Sequence, residues 1–304
     1  MGWLDSPLVQ REYVQPATGG GASAGNWVAD LVARVGVPSG GHWLSLGCGS
    51  ADQELYCLEQ GFCARLTGYD ISAESIAQAE AKARQRGVEG ARFLVQDFQD
   101  LRLPRRAFSA VVMSMSLHHV AELHRVLRQV RSCLQPGGWL LVNEYIGPSQ
   151  FQFDEGLLRL VEDLLAALPE RLRYDYLNGV TKSRYVKHSR AHWFAVDPSE
   201  AICSEHIEGA LRRFFRVAVQ ANYGGPVLAL LLENIVGNFS PEREDDVAIL
   251  RTLMATERAL IREDVLADHF AVFAARPRRT PWVFLSWLLE LADRLRVASW
   301  RRLG

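Results

Sequence analysis

The chain has 304 residues, 48% of them hydrophobic and 23% charged, with 34 Lys plus Arg against 35 Asp plus Glu and a formal net charge of −1. This balance suits a globular protein long enough for one large α/β domain and argues against a nucleic-acid partner, which calls for a basic surface. No stretch reaches the ~18 uninterrupted apolar residues of a membrane span.

Residues 1–25 read as an arm. The opening MGWLDSPLVQREYV carries Asp5 and Glu12 and is no signal peptide, while Gly19, Gly20, Gly21 and Gly25 make part of it flexible, lid-like or simply disordered. The spacing of Trp27, Val28, Leu31, Val32 and Val35 predicts a helix over Asn26–Val35, ended by Gly36 and Pro38. Residues 1–40 are therefore expected to form an N-terminal arm and helix, 41–280 the main domain and 281–304 a terminal helix.

The stretch His42–Asp52 organises the main domain. Trp43, Leu44 and Leu46 form an apolar run that stops at Gly47-Cys48-Gly49, and a helix-compatible stretch begins at Asp52. That pattern predicts a buried parallel strand, a tight glycine turn and a helix start. Such a turn lets a ligand approach the backbone. The G-x-G-x-x-G fingerprint of dinucleotide sites is incomplete, because its last position is Asp52.

Four further strands are expected at Ala64–Tyr69, Ala91–Gln96, Phe108–Met115 and Trp139–Glu144. Helices are expected at Ala73–Arg86 and Ala121–Leu134, and Pro136-Gly137-Gly138 forms the turn before the fifth strand. Strands alternating with helices imply a parallel sheet with right-handed crossovers. Its carboxyl ends carry Gly47–Ser50, Asp70, Asp97, Ser116–His119 and Glu144, where sites of open α/β sheets form.

The second half is less regular. Phe151–Leu168, Pro198–Arg213, Val227–Val236 and Asp245–Leu266 are expected to be helical, with strands at Phe214–Val219 and His269–Ala275. The expected fold is thus α/β, Rossmann-like, with a mostly parallel seven-stranded sheet and helices on both faces. Helical insertions at about 147–213 and 224–266 would form a substrate lid. Pro281–Leu303 is Trp-rich and could dock as core, form a homodimer contact or lie on a membrane surface, although Glu290 and Asp293 would oppose an anionic one. Five cysteines, Cys48, Cys57, Cys63, Cys133 and Cys203, show no CxxC spacing, so no disulfide framework or zinc site is signalled and a reducing, cytoplasmic setting fits.

With these residues in place, the chain resembles a class I S-adenosylmethionine-dependent methyltransferase of the bacterial small-molecule or glycan type. Leu46-Gly47-Cys48-Gly49 is similar to the family's first motif, and Asp70 stands at its second-strand acid. Gln96-Asp97-Phe98, Leu117-His118-His119-Val120 and Leu134-Gln135-Pro136-Gly137-Gly138 are similar to its later motifs, in order. Ala51 departs from it, standing where many members carry a third glycine. The stretches Glu144–Gln152 and Asp197–Ala201 resemble a bacterial subgroup.

The resemblance implies S-adenosyl-L-methionine as cofactor. Gly47, Cys48 and Gly49 would approach its methionine part. Asp70 would accept from two ribose hydroxyls, with Ile71 beside it; the competing role for Asp70 is capping the helix after Ser72. Asp97 would accept from the adenine amino group and Phe98 would pack on the ring, unless it serves as core. Ser116 and Leu117 would flank the sulfonium, and Tyr13 would reach in from the arm. His118, His119 and Glu144 are the catalytic candidates, since an oxygen or nitrogen nucleophile has to lose a proton. Tyr145, His188 and Asn222 are weaker candidates. Metal-free catalysis is expected. The acceptor would be a small molecule or glycan, methylated on oxygen. N- or C-methylation, a nicotinamide-dependent oxidoreductase and a non-catalytic cofactor-binding protein are the alternatives.

Overall fold

A computed structural model describes residues 2–19, 26–278 and 286–303. Seven strands form one sheet: β1 His42–Leu46, β2 Arg65–Asp70, β3 Ala91–Val95, β4 Phe108–Ser114, β5 Leu134–Tyr145, β6 Phe215–Asn222 and β7 Phe270–Pro277. Their order is β3-β2-β1-β4-β5-β7-β6. The first five run parallel, and β7 pairs antiparallel with both β5 and β6. This is the seven-stranded, Rossmann-like sheet expected.

The alternation within β1 builds both layers of core. Trp43 faces one apolar cluster, and Leu44 and Leu46 face the other. On the Trp43 side lie α1 (Trp27–Val35), α2 (Asp52–Glu59) and α3 (Ala73–Arg86). On the opposite side lies α4 (Leu123–Cys133), whose Leu123, Val126, Leu127 and Val130 are buried. Strand order reverses direction between β1 and β4, so the connections that leave their carboxyl ends run to opposite sides and leave a crevice above the sheet edge.

Beyond β5 the chain forms α5 (Glu155–Ala167), a small ribbon pairing Tyr174–Asp175 with Val180–Thr181, then α6 (Arg190–Val196) and α7 (Ile207–Phe214). After β6 come α8 (Leu228–Leu232) and α9 (Glu244–Arg262). The helix expected over Pro198–Arg213 begins only at Ile207. Asp197–Ala201 is instead a loop closed on itself, with Ser199 N and Oγ both donating to Asp197 Oδ1 (3.0 and 2.7 Å). Short polar side chains compete with helical hydrogen bonds in this way.

The N-terminal arm is more ordered than a glycine-rich lead suggests. Pro7–Val9, Gln10–Val14 and Gln15–Thr18 form a helical segment with a wide central turn, and Trp3, Leu8, Val9 and Tyr13 are buried in the core. The remaining glycines of the arm, Gly20–Gly25, lie outside the described residues. The terminal helix α10 (Ser286–Leu303) docks on α4: buried Asp293 accepts from His124 Nδ1 at 2.8 Å, and Arg128 bonds Glu290 at 2.7 Å. Trp282, Phe284 and Leu285 lie outside the described residues. No helix among the described residues is long and apolar enough to cross a membrane.

Candidate functional site

A cleft of about 550 Å³ opens at the carboxyl ends of β1, β2, β3 and β4. It is lined by Gly47–Glu54, Asp70, Ile71, Asp97–Gln99, Ser114–Ser116, His119, Asp197 and Ser199. The glycine turn that forms its floor is internally bonded. Gly47 and Cys48 N–H both donate to Tyr69 O (2.8 and 3.1 Å), and Gly49 N–H donates to Asp70 Oδ2 (2.8 Å). The amides of Gly47, Cys48 and Gly49 are therefore already engaged, unlike the open amides of a phosphate-binding glycine loop. Ala51 takes a left-handed φ of +62°, a conformation usual for the glycine it replaces.

Asp70 holds the turn and the next helix together, because its Oδ1 accepts from Ser72 N at 2.9 Å. Each oxygen keeps a lone pair for a ligand. Asp97 likewise accepts from Gln99 N at 2.8 Å. The cleft wall includes Ile71, 72% exposed, and half-buried Phe98: two apolar faces flanking polar groups.

Charge gives the cleft its character. Asp52, Glu54, Asp70, Asp97 and Asp197 line it, and no Lys or Arg stands among the described lining residues. Asp52 alone is paired nearby, with Lys82 and Arg86 at 2.5 and 2.8 Å. Glu54 accepts a hydrogen bond from Ser45 Oγ at 2.6 Å. Burial pushes its carboxyl up to about 7, well above the ordinary 4.5, against the pull of that hydrogen bond.

The sign for stability follows from linkage. A carboxyl raised in the fold binds protons more tightly than in the unfolded chain, so its contribution is full below about 4.5 and lost as pH rises to about 7. Glu54→Gln is thus expected to gain on the wild type by about 3 kcal/mol between pH 4.5 and 8. Urea unfolding at several pH values reads this out, and parallel pH profiles would refute it.

The turn after β4 carries the two histidines. Glu144, fully buried, accepts from Ser116 N and Leu117 N (both 2.5 Å), from His118 Nδ1 (2.7 Å) and from Tyr145 N (3.1 Å). Burial pulls the His118 imidazole down, but Glu144 and then Glu200 and Asp197 outweigh it, and the net direction is up. His119 is pulled down by burial and by the neighbouring His118. The two rings lie 4.2 Å apart and part company: His119 lines the cleft, and His118 lines a second cavity.

That second cavity measures about 210 Å³ and is mostly aromatic. Tyr145, Phe151, Phe153, Tyr185, Trp193 and Phe270 line it, with Glu200, Glu233 and His269 as further polar groups. Its walls come from β5, β7 and both segments expected to cover the sheet. Met115, held at φ +48°, lines both cavities and forms part of their shared wall.

The structure thus gathers Gly47, Cys48, Gly49, Asp70, Ile71, Asp97, Phe98, Ser116 and His119 around one cleft, with His118 next door. Three expectations need correction, those for Leu117, Tyr13 and Glu144. Leu117 is fully buried among α4 residues, because the short helical turn Leu117–His119 rotates its side chain into the core. Tyr13 does not line the cleft; its hydroxyl donates to buried Glu257 at 2.6 Å. Glu144 lines neither cavity and acts through what it holds. Among the weaker candidates Tyr145 lines the aromatic cavity, Asn222 lies beside Tyr13, and His188 stacks on His192 at 4.0 Å.

Glu257 also accepts from the amides of Gly225, Val227 and Leu228, each at 2.7 Å. Removing the fourth donor should weaken the packing of the arm and leave the cleft alone. Tyr13→Phe is expected to lower stability by about 1–2 kcal/mol with ligand binding in the cleft unchanged, as thermal unfolding and calorimetry would measure. A loss of binding at full stability would restore Tyr13 to the site.

Sequence reasoning missed Glu54, Met115 and Glu200. Only Glu200 left a signal, in the stretch Asp197–Ala201.

Comparison with known proteins agrees with this geometry. Residues 44–142 match the family model of a methyltransferase domain. A demethylmenaquinone methyltransferase of Thermus thermophilus is 34% identical over 110 residues, covering 36% of this chain and 50% of that one. A ubiquinone/menaquinone biosynthesis C-methyltransferase of Desulfotalea psychrophila is 28% identical over 163 residues, covering 51% of this chain and 64% of that one. The chain therefore spans about half to two-thirds of the length of these curated relatives.

Among solved structures, geranyl diphosphate C-methyltransferase from Streptomyces coelicolor A3(2) superposes with a TM-score of 0.51 at 12% identity, covering 84% of this chain and 76% of that one. The sheet, its switch point and the domain match define a class I methyltransferase fold, as the resemblance in the sequence implies. The cleft fits a nucleoside that carries positive charge: carboxylates stand at the ends of β2 and β3, apolar faces flank them, and no cationic side chain opposes it.

Proposed function

We propose that this chain is an S-adenosylmethionine-dependent methyltransferase acting on a small organic molecule, most simply at an oxygen. One observation carries the proposal: the cleft at the switch point is acidic, lacks Lys and Arg among its described lining residues, and has its Gly47, Cys48 and Gly49 amides already bonded within the protein. A nicotinamide dinucleotide brings a diphosphate, which calls for free amides or cationic side chains. A sulfonium nucleoside brings positive charge, which carboxylates attract.

The cofactor, when bound, supplies a methyl group on a sulfonium whose sulfur leaves as a neutral thioether. The protein's work is then mainly positioning. Asp70 offers lone pairs to two adjacent hydroxyls, Asp97 accepts from the adenine amino group, and Ile71 and Phe98 cover the base. Met115 separates the cofactor side from the aromatic cavity, which takes an apolar, ring-sized acceptor. His118, oriented by Glu144, and His119, oriented by Ser199, place Nε2 atoms where an acceptor has to give up its proton.

The named activity of the Desulfotalea relative supports transfer to carbon as the second reading. An activated aromatic ring would suit the same cavity.

Calorimetric titration with S-adenosylmethionine tests the proposal. Saturable binding at one site per chain is expected, and a well-folded protein that takes up none would refute it. Asp70→Ala is expected to weaken that binding about 10- to 100-fold, the loss of charged hydrogen bonds of about 1.5–3 kcal/mol. An unchanged affinity would remove Asp70 from the ribose. Mass spectrometry of products formed with a labelled methyl donor separates oxygen from carbon acceptors.

A further inference from the structure

We infer that His118, His119 and Glu200 form a binding site for one divalent transition-metal ion, at the boundary between the acidic cleft and the aromatic cavity. The tautomers come first. His118 Nδ1 lies 2.7 Å from Glu144 Oε2, and a carboxylate there can only accept. His119 Nδ1 lies 3.2 Å from Ser199 Oγ, whose own proton goes to Asp197 Oδ1 at 2.7 Å, so Ser199 also meets the ring as an acceptor. Both rings therefore carry N–H on Nδ1, and in their neutral form turn a lone pair outward on Nε2.

Those lone pairs face a third electron-rich group. Glu200 Oε1 lies 3.7 Å from His118 Nε2, and Glu200 Oε2 lies 3.9 Å from His119 Nε2. Neither distance is a hydrogen bond. Donor atoms of all three residues lie within 4.8 Å of one another, and no Lys or Arg stands among the described residues lining either cavity. Three donors converge with no Lys or Arg beside them among the described lining residues.

The loop that carries Glu200 is fixed against the histidine turn, since Ile202 N–H donates to His118 O at 3.0 Å and Gln150 N–H to Ala201 O at 2.8 Å. Two imidazoles and a carboxylate suit Zn, Mn, Fe, Co or Ni. A carboxylate or hydroxyl on the far nitrogen of each ring is the outer shell that orients metal-binding histidines. Bonds of about 2.0–2.2 Å to one ion bring such donors to about 3–3.5 Å apart. Rotation of the Glu200 carboxylate and of the half-buried His119 ring closes the remaining gap.

The position gives the ion a use, and this part rests on the proposed methyl transfer. His119 faces the cofactor side, while His118 and Glu200 face the aromatic cavity. Coordination positions not filled by protein open toward an acceptor, and a metal-bound hydroxyl ionises far more readily than a free one, its proton leaving to solvent, so that with the ion bound the two Nε2 atoms serve as ligands in place of bases. The acceptor class this selects is an apolar ring bearing oxygen ligands, such as adjacent hydroxyl and carbonyl groups.

The test uses the full chain, stripped with a chelator and titrated with Co²⁺ alone near neutral pH. Visible absorption and calorimetry follow uptake. One ion per chain is expected, with the absorption of imidazole-ligated Co²⁺. His119→Ala and Glu200→Gln should each weaken uptake by about tenfold or more, and Glu200→Gln, whose side chain lies outside the cofactor cleft, should still bind S-adenosylmethionine. Glu200, on a partly exposed loop, should be replaceable without unfolding, and Glu200→Asp should recover part of the affinity. Asp70→Ala should show the converse, weakened cofactor binding with Co²⁺ uptake intact, so failure of the metal site and failure of the cofactor reading are distinguishable. Absence of Co²⁺ uptake by folded wild type, or uptake indifferent to both variants, overturns the inference and leaves a single shared proton among the three residues.

Discussion

Glu144→Ala is expected to destabilise the fold by about 3–5 kcal/mol, the range for removing one partner from a buried charged network. The reason is the number of groups that converge on one carboxylate. Ser116 N, Leu117 N and Tyr145 N all donate to it, and His118 Nδ1 makes a fourth contact. Alanine leaves these groups buried without an acceptor, and each orphaned donor costs about 1–3 kcal/mol before the structure relaxes. The injury is also directional. Glu144 is the penultimate residue of β5, and Ser116–His118 follows β4, so the carboxylate ties one strand end to the turn of its neighbour. Glu144→Gln keeps one oxygen acceptor and should retain part of the stability. Urea unfolding measures both variants. A loss below about 1 kcal/mol for alanine would mean that the turn is held by something else.

Glu144 also shows where the sequence was legible and where it was not. The order of strand ends could be read directly, because buried parallel strands are apolar runs that stop at polar residues. Gly47, Asp70, Asp97 and the two histidines were found that way, and the sheet does bring them to one rim. The same reading knows the rim but not the facing. It placed Leu117 with the cofactor because it adjoins Ser116, and one turn of tight helix sends its side chain into the core. Glu144 reads in the sequence as a base or as a metal or hydroxyl ligand, and the carboxylate lies beneath the turn, in neither cavity.

Distance along the chain hides the rest. Glu200 meets His118 across 82 residues, through a loop whose Asp197–Ser199 bonds displaced an expected helix. Tyr13 looked like part of a lid because glycines follow it, yet its partner is Glu257, 244 residues away. Glu54 sits on an ordinary helix, and burial under β1, with smaller pushes from Asp52 and Asp70, makes its carboxyl unusual.

Gly47→Ala is expected to destabilise the protein by about 2–5 kcal/mol and to weaken binding in the cleft as well. Two effects add. Gly47 holds φ +75°, where an L residue is disfavoured by about 1–2 kcal/mol. A Cβ built there would stand 2.5 Å from Ser116 Cβ, an overlap that the backbone has to relieve, at about 1–3 kcal/mol. Ser116 has little room to withdraw, because its Oγ donates to Leu46 O at 2.8 Å and its N–H is held by Glu144. The turn after β1 and the turn after β4 are thus in direct contact at the switch point, and separating them widens the crevice they enclose.

Gly49 supplies the contrast. It has φ +51°, but a Cβ there meets nothing within 4 Å. Gly49→Ala should therefore lose only the backbone part, about 1–2 kcal/mol. Chemical denaturation separates the two glycines. Equal losses at both positions would mean that backbone strain alone decides, and that the contact between the two strand ends carries no weight.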